Sequence, residues 1–283
     1  MPITHTRELD STPNLTMLFG KAVLTGFSKH GDSLPSTVYS RDGVVVDPAH
    51  LSAYNKVCGF RLTDELPITY PHILSFPLQV KLMTDADFPF PLVGSVHLAN
   101  RITQLQPLRA DAPIRLRVHV EDLRAHPKGH QFDMVTEAFV AGNLVWQSVS
   151  TYLRRNGSSG SSSTGPELIT RQPRAIWHIP DDIGRRYADV AGDRNPIHLH
   201  PLTAKLFGFP RAIAHGMWTK ARCLAAFEGR LPEAYTVEVR FKTPVLLPSK
   251  AAFATTHTAD TWTFDLFNAR TTKPHLTGTI TPP

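Results

Sequence analysis

Gly216-Met217-Trp218-Thr219-Lys220-Ala221-Arg222-Cys223-Leu224-Ala225-Ala226-Phe227 is the stretch on which the fold turns. Met217, Ala221, Leu224 and Ala225 fall at i, i+4, i+7 and i+8, the spacing of one buried helical face. The period then changes. Thr236-Val237-Glu238-Val239-Arg240-Phe241 alternates every second residue, as a strand with one wet face does. Residues 251–256 and 262–268 read as further strands. The same order occurs earlier in the chain: Leu74, Leu78 and Leu82 recur every four residues, and strand-like runs follow over 95–102, 114–120, 132–139 and 144–153. Pro77 suits the first turn of that earlier helix rather than its middle. Tyr54 stands five residues before Gly59 in the first half, and Tyr187 five before Gly192 in the second. A helix followed by antiparallel strands, twice over, predicts an α+β fold of two similar units.

Composition supplies the boundary. Asn156-Gly157-Ser158-Ser159-Gly160-Ser161-Ser162-Ser163-Thr164-Gly165-Pro166 has almost nothing to bury and reads as a linker. It divides the chain into 1–155, the 156–166 linker and 167–283, each flank long enough for a small domain. A hydrophobic fraction of 41% supports real cores and excludes a wholly disordered chain. No apolar run approaches the roughly 20 residues of a membrane helix, and the first residues lack a signal-peptide pattern. Two cysteines, Cys58 and Cys223, are too few for a disulfide framework. These features predict a soluble, cytoplasmic protein. The net charge of +6 comes from scattered basic residues rather than runs, which argues against nucleic acid. It suits a small phosphate-bearing ligand or an acidic partner protein.

The chemistry concentrates in Tyr187-Ala188-Asp189-Val190-Ala191-Gly192-Asp193-Arg194-Asn195-Pro196-Ile197-His198-Leu199-His200-Pro201, followed by Ile213-Ala214-His215-Gly216-Met217. Pro196 excludes a helix interior at its position and restricts Asn195, so an ordered turn joins Asp193 to His198. A carboxylate and an imidazole aimed at one point can manage the protons of a water. The blander reading is that Asp193 caps a short helix and His198 satisfies a carbonyl. His198, His200 and His215 also have the residue types of a three-histidine zinc site. No glycine-rich nucleotide motif occurs, so no nucleotide cofactor is implied.

Gly192-Asp193-Arg194-Asn195-Pro196-Ile197-His198, Gly208-Phe209, Ile213-Ala214-His215-Gly216-Met217 and Phe241-Lys242-Thr243-Pro244-Val245 together resemble the MaoC-like (R)-specific enoyl-CoA hydratase and 3-hydroxyacyl-thioester dehydratase family. The resemblance is carried mainly by residues 187–250; the first half resembles the degenerate half of two-domain members. It implies a double hotdog, each half a curved antiparallel sheet around a central helix, packed as an internal pseudo-dimer that can also form a homodimer. It implies reversible hydration of trans-2-enoyl thioesters, on CoA or acyl carrier protein, in fatty-acid metabolism, with no cofactor and no metal. Asp193 and His198 would be the catalytic pair, and Gly216, at the start of the central helix, a backbone donor to the enolate oxygen. Tyr187, Asn195 and His215 would line the substrate site. The residue two after the motif histidine, Asp in many relatives, is here His200. A thioester hydrolase or a non-catalytic acyl-thioester-binding module on the same scaffold are the alternatives.

Overall fold

The computed structural model describes residues 5–25, 31–92, 94–155 and 167–283. The expected linker, 156–166, lies outside the described residues. In chain order the elements begin with β1 (His5–Glu8), α1 (Leu15–Thr25), β2 (Thr37–Val44), α2 (Pro48–Cys58) and α3 (Tyr70–Thr84). The long strands β3 (Ser95–Gln104), β4 (Ile114–His126), β5 (Gly129–Val140) and β6 (Asn143–Arg155) follow. Next come β7 (Ala175–Ile179), α4 (Ile183–Ala191), α5 (Pro196–Leu199), α6 (Pro201–Leu206) and α7 (Gly216–Ala225). The chain closes with β8 (Tyr235–Phe241), β9 (Ser249–Thr258), β10 (Thr261–Asn268) and β11 (Pro274–Thr281).

These elements form two compact units, and the division is not a single cut. The described residues of Met1–Asp47 and Asp64–Gly160 make one; those of Pro48–Thr63 and Ser161–Pro283 make the other. Thus α2, which the sequence places in the first half, packs in the second unit, against α4 and α7. The reason lies in what it buries: Leu51, Tyr54 and Cys58 on one side of a helix whose other side is solvated.

In the first unit the strand order is β1-β2-β4-β5-β6-β3, antiparallel except for the parallel β1–β2 pair. Alternation sets which face is dry: Ile114, Leu116, Val118 and Val120 of β4 are buried, and the residues between them are not. Helix α3 lies on that face against β2, β4 and β5. Its first turn holds Pro71, and Pro77 sits in its interior, against the expectation that Pro77 would start it. A mid-helix proline removes the donor for the carbonyl one turn back, at about 3 kcal/mol. The helix survives because Tyr70, Ile73, Leu78, Val80 and Leu82 are buried along it, and burial of one such side chain contributes about 1.5–3 kcal/mol.

In the second unit the order is β8-β11-β10-β9-β7, all antiparallel, with α7 against β10. The sequence predicts α7 with one buried face. Met217, Trp218, Thr219, Lys220, Ala221, Cys223 and Leu224 are all buried, so nearly the whole circumference is enclosed, as for a helix at the centre of a unit. The Tyr/Gly repeat also takes physical form. Gly59 and Gly192 each end a helix in the left-handed conformation, at φ +85° and +72°, donating to Asn55 O at 2.7 Å and Ala188 O at 2.9 Å.

Candidate active site

Asp193 leaves α4 directly after its glycine cap and sits in the turn that precedes α5. Its Oδ1 accepts the Asn195 N–H at 3.2 Å. The helix cap itself is Asn195, whose Oδ1 accepts the Ile197 N–H at 3.4 Å, with Pro196 in the first turn. Asn195 therefore orders the turn, and the carboxylate of Asp193 is not spent on capping. The Asp193 side chain keeps 31% of its surface open although protein atoms crowd its head group. Burial raises its carboxyl above its ordinary pKa; His198 and the Asn195 amide pull the other way.

His198 is buried on α5. Its Nδ1 lies 2.8 Å from the carbonyl of Ile213. A carbonyl only accepts, so Nδ1 carries the proton and Nε2 of the neutral ring presents a bare lone pair. Burial pushes the imidazole below its ordinary pKa, with Asp193 and the Ile213 contact opposing. Ile213 is gripped from both sides, since its own N–H donates to Ile197 O at 3.1 Å. The same strip is pinned by Ala214 N–H to Val245 O at 2.9 Å and Leu247 N–H to Ala212 O at 2.8 Å.

The packing of α5 on α4 depends on a residue the sequence reading did not single out. A Cβ on Gly184 would lie 2.1 Å from the carbonyl oxygen of His198. Only glycine lets the turn carrying His198 come this close. In the first turn of α4, Gly184 is locally just a weak helix former, and nothing nearby in sequence marks the element it must admit.

Behind His198 stands His215, the last residue before α7. The two imidazoles stack with centroids 3.6 Å apart and planes inclined by 25°. His215 Nε2 lies 2.9 Å from the main-chain carbonyl of Asp193, so that nitrogen holds the proton. Burial, then the neighbouring His198, hold His215 well below the ordinary imidazole range. Tyr187 is buried on its far side, ring centroids 5.0 Å apart, and Tyr54 of α2 lies 6.3 Å beyond. Gly216 opens α7 against the ring of Phe241, whose Cε1 would lie 3.0 Å from a Cβ placed there. The first amides of the helix have no carbonyl one turn back to bond, so they are free to meet an oxygen arriving from outside.

The structure brings together Asp193, His198 and His215, whose side-chain donor atoms all lie within 4.8 Å of one another. His200 stands apart: it is exposed, and its Nδ1 accepts the Leu202 N–H at 3.2 Å to cap α6. The three-histidine metal reading therefore loses a member. The remaining set has ligand chemistry, but the two stacked rings hold their in-plane lone pairs in separate planes, with centroids 3.6 Å apart and inclined by only 25°. They do not converge on one ion at the roughly 2.0–2.1 Å of a zinc–imidazole bond. A concavity of about 420 Å³ lies in the first unit, lined in part by Asp42, Arg115, Arg117 and Phe139; none of the expected site residues borders it. Its arginines already face the carboxylates of Asp42 and Glu137.

A glycine-capped helix, an Asn-Pro turn, a carboxylate facing a buried histidine and a helix start beneath them make a consistent pattern, and comparison with known proteins identifies it. The MaoC-like domain family matches residues 161–279. The 3-hydroxyacyl-thioester dehydratase X of Mycobacterium tuberculosis is 40% identical over 253 residues, covering 88% of this chain and 90% of that protein. The chain belongs to the MaoC-like dehydratase family. A crystal structure of HtdX from Mycobacterium tuberculosis matches with a TM-score of 0.79 and 39% identity, over 87% of this chain and 100% of that one. A Mycobacterium tuberculosis protein described as having a double hotdog fold matches with a TM-score of 0.55 and 11% identity, over 89% and 95%. The fold of this chain is the hotdog fold, of the α+β class. No helix among the described residues is long and apolar enough to cross a membrane.

Proposed function

We propose that this protein reversibly adds water to trans-2-enoyl thioesters to give (R)-3-hydroxyacyl thioesters, carried on CoA or on acyl carrier protein, in fatty-acid metabolism. The observation that carries the reading is the pairing of Asp193 with a His198 whose Nε2 is bare, their donor atoms within 4.8 Å. A water making two hydrogen bonds of about 2.8 Å at a near-tetrahedral angle spans about 4.6 Å, a separation inside that bound and the one this reading requires of Asp193 and Nε2. Family membership and the name of the 40% identical relative support the same class of reaction.

In the hydration direction Asp193 accepts one hydrogen of the water and holds its oxygen toward the β carbon. His198 Nε2 takes the other proton as the C–O bond forms, then delivers it to the α carbon, which leaves the ring neutral for the next turnover. Electron density that collects on the thioester oxygen meets the amides at the start of α7, at Gly216. One such donor contributes about 3–4 kcal/mol when judged by its removal. Dehydration runs the same steps backward.

The test is loss of enoyl absorbance from a trans-2-enoyl-CoA, with chiral analysis of the product. His198→Ala and Asp193→Asn are expected to lose about 10²–10⁴-fold in turnover, the usual contribution of a positioned proton carrier. Full turnover in both variants would remove the assignment. Release of free thiol without hydration would favour the hydrolase reading instead.

A further inference from the structure

We propose that His215 is the positioning residue of this site: it ties the start of α7 to the Asp193 turn, backs the ring of His198, and leaves the first amides of α7 open. The inference rests on the hydratase reading above for its kinetic consequences, though its geometry stands apart from that reading.

Three observations converge. First, His215 occupies the N-cap position of α7 without capping it. Serine, threonine, aspartate or asparagine at such a position would place an oxygen on the amides two and three residues on. Here the side chain turns away, and its Nε2–H reaches the Asp193 carbonyl 22 residues back, at 2.9 Å. An ordinary cap would occupy the donors that an incoming oxygen needs; a histidine diverted to another partner does not. Second, the His215 ring covers the face of His198 at 3.6 Å, while Nδ1 of His198 is held by Ile213. A ring fixed at one edge and along one face cannot swing, so Nε2 keeps its aim. Third, His215 cannot itself be reached. Only 3% of its side chain is exposed, and its Nδ1 is buried with no hydrogen-bond partner among the described residues. On this proposal His215 does not make the direct ligand contact expected of it from sequence. Tyr187 fills the space on its other side.

The three jobs separate by substitution in the full-length protein. His215→Gln keeps a donor near the position of Nε2 and loses the ring. His215→Phe keeps the stacking face and loses the donor. His215→Asn loses the reach to Asp193 and gains an oxygen suited to capping α7. Expected is a fall in kcat with KM within about 3-fold of the parent, because no contact to substrate is removed. Gln should retain within about 10-fold of parental kcat, while Phe and Asn fall by about 100-fold. Asn should do so without loss of thermal stability, since it caps the helix that His215 leaves uncapped. A raised KM with kcat unchanged in all three would mean that His215 touches substrate, and would overturn the proposal. Equal activity in Asn and parent would overturn it as well.

A second measurement keeps the test independent of activity and of refolding. The ¹⁵N shifts of labelled full-length protein distinguish imidazole tautomers: His215 should be protonated at Nε2 and His198 at Nδ1. In His215→Gln the His198 tautomer should persist. A parental His215 protonated at Nδ1 would sink the clamp even if hydratase activity were present. The expected tautomers in a protein with no hydratase activity would instead count against the assigned reaction.

Discussion

One ring, His198, sets both what the site can do and the pH at which it can do it. Its proton is committed to Ile213 and its free nitrogen points the other way. Burial holds its pKa below the ordinary value, whereas burial holds that of Asp193 above. The proposed chemistry needs the imidazole neutral and the carboxylate ionised. Activity should therefore fall on the acid side, His198 setting a limb below its ordinary value of about 6.5 and Asp193 a limb above its ordinary value of about 4. A kcat/KM profile that rises as the pH is lowered from about 8 to about 4 would contradict this. The same groups bear on stability. A carboxyl whose folded pKa is raised stabilises the fold below the unfolded value and ceases to do so as pH rises through the folded one. Ionising Asp193 in the folded protein is thus a liability, the common cost of a functional group. Asp193→Asn keeps an acceptor for the Asn195 amide and removes the charge. It should melt above the parent at pH 7, with the gap closing as pH falls toward 4. A melt at or below the parent at neutral pH would show that the buried carboxylate is compensated after all.

At the scale of elements, the site exists because α5 can lie on α4 and α7 can be enclosed on all sides. Gly184→Ala places a methyl where the His198 carbonyl now sits, so α5 must move. Overpacking of this kind costs about 1–3 kcal/mol, and the shift falls on the residue whose aim matters. Expected are a lower melting temperature and at least a 10-fold loss of kcat; parental kinetics would show that the turn re-seats freely. Lys220 makes the complementary case. It is fully buried on α7, with Nζ donating to Val237 O at 3.2 Å, and burial holds it well below the ordinary lysine range. A lysine with a depressed folded pKa loses stability as pH falls below its unfolded value of about 10.4. Lys220→Met should therefore gain most over the parent near pH 7 and progressively less toward pH 10. These two residues also mark what the sequence could tell. Period and turn chemistry made α7, the strands β3 to β6 and β8 to β10, and the Asn-Pro turn legible, because each is written in neighbours a few residues apart. Gly184, Pro77 and Lys220 were not legible. Gly184 and Pro77 are locally unfavourable and Lys220 reads locally as a solvated helix position; each is tolerated for a reason lying on another element. The strands β1, β2, β7 and β11 are not legible because they carry little alternation or, like Pro274 at the start of β11, a discouraging residue.

At the scale of the molecule, the second unit is not the second half of the chain. Segment 48–63 supplies one of its walls: Trp218 Nε1 donates to the carbonyl of Val57 at 3.1 Å, and the Arg61 amide donates to the Glu228 carboxylate at 3.1 Å. Gly59 brings the backbone beside the guanidinium of Arg222, where a Cβ would lie 3.2 Å from it. The Tyr54 ring stands behind Tyr187 in the column that ends at the site. Sequence repetition revealed that Tyr54 and Tyr187 are counterparts, but not that both face the same interior. A local pattern records that a face is apolar and is silent about which surface covers it. Leu51, Tyr54 and Cys58 are buried on α2. At about 1.5–3 kcal/mol for each large apolar side chain, the segment contributes on the order of 5 kcal/mol, comparable to the whole stability of many domains. Residues 167–283 expressed alone should therefore expose Trp218 and Tyr187, bind a hydrophobic dye and lack a cooperative melt. The same residues carrying 48–63 on a Gly/Ser tether should recover both the cooperative transition and the buried-tryptophan fluorescence. A sharp, dye-silent melt of 167–283 without the segment would mean that α2 rests on a unit already complete, and that the column behind the histidines needs no support from the first half.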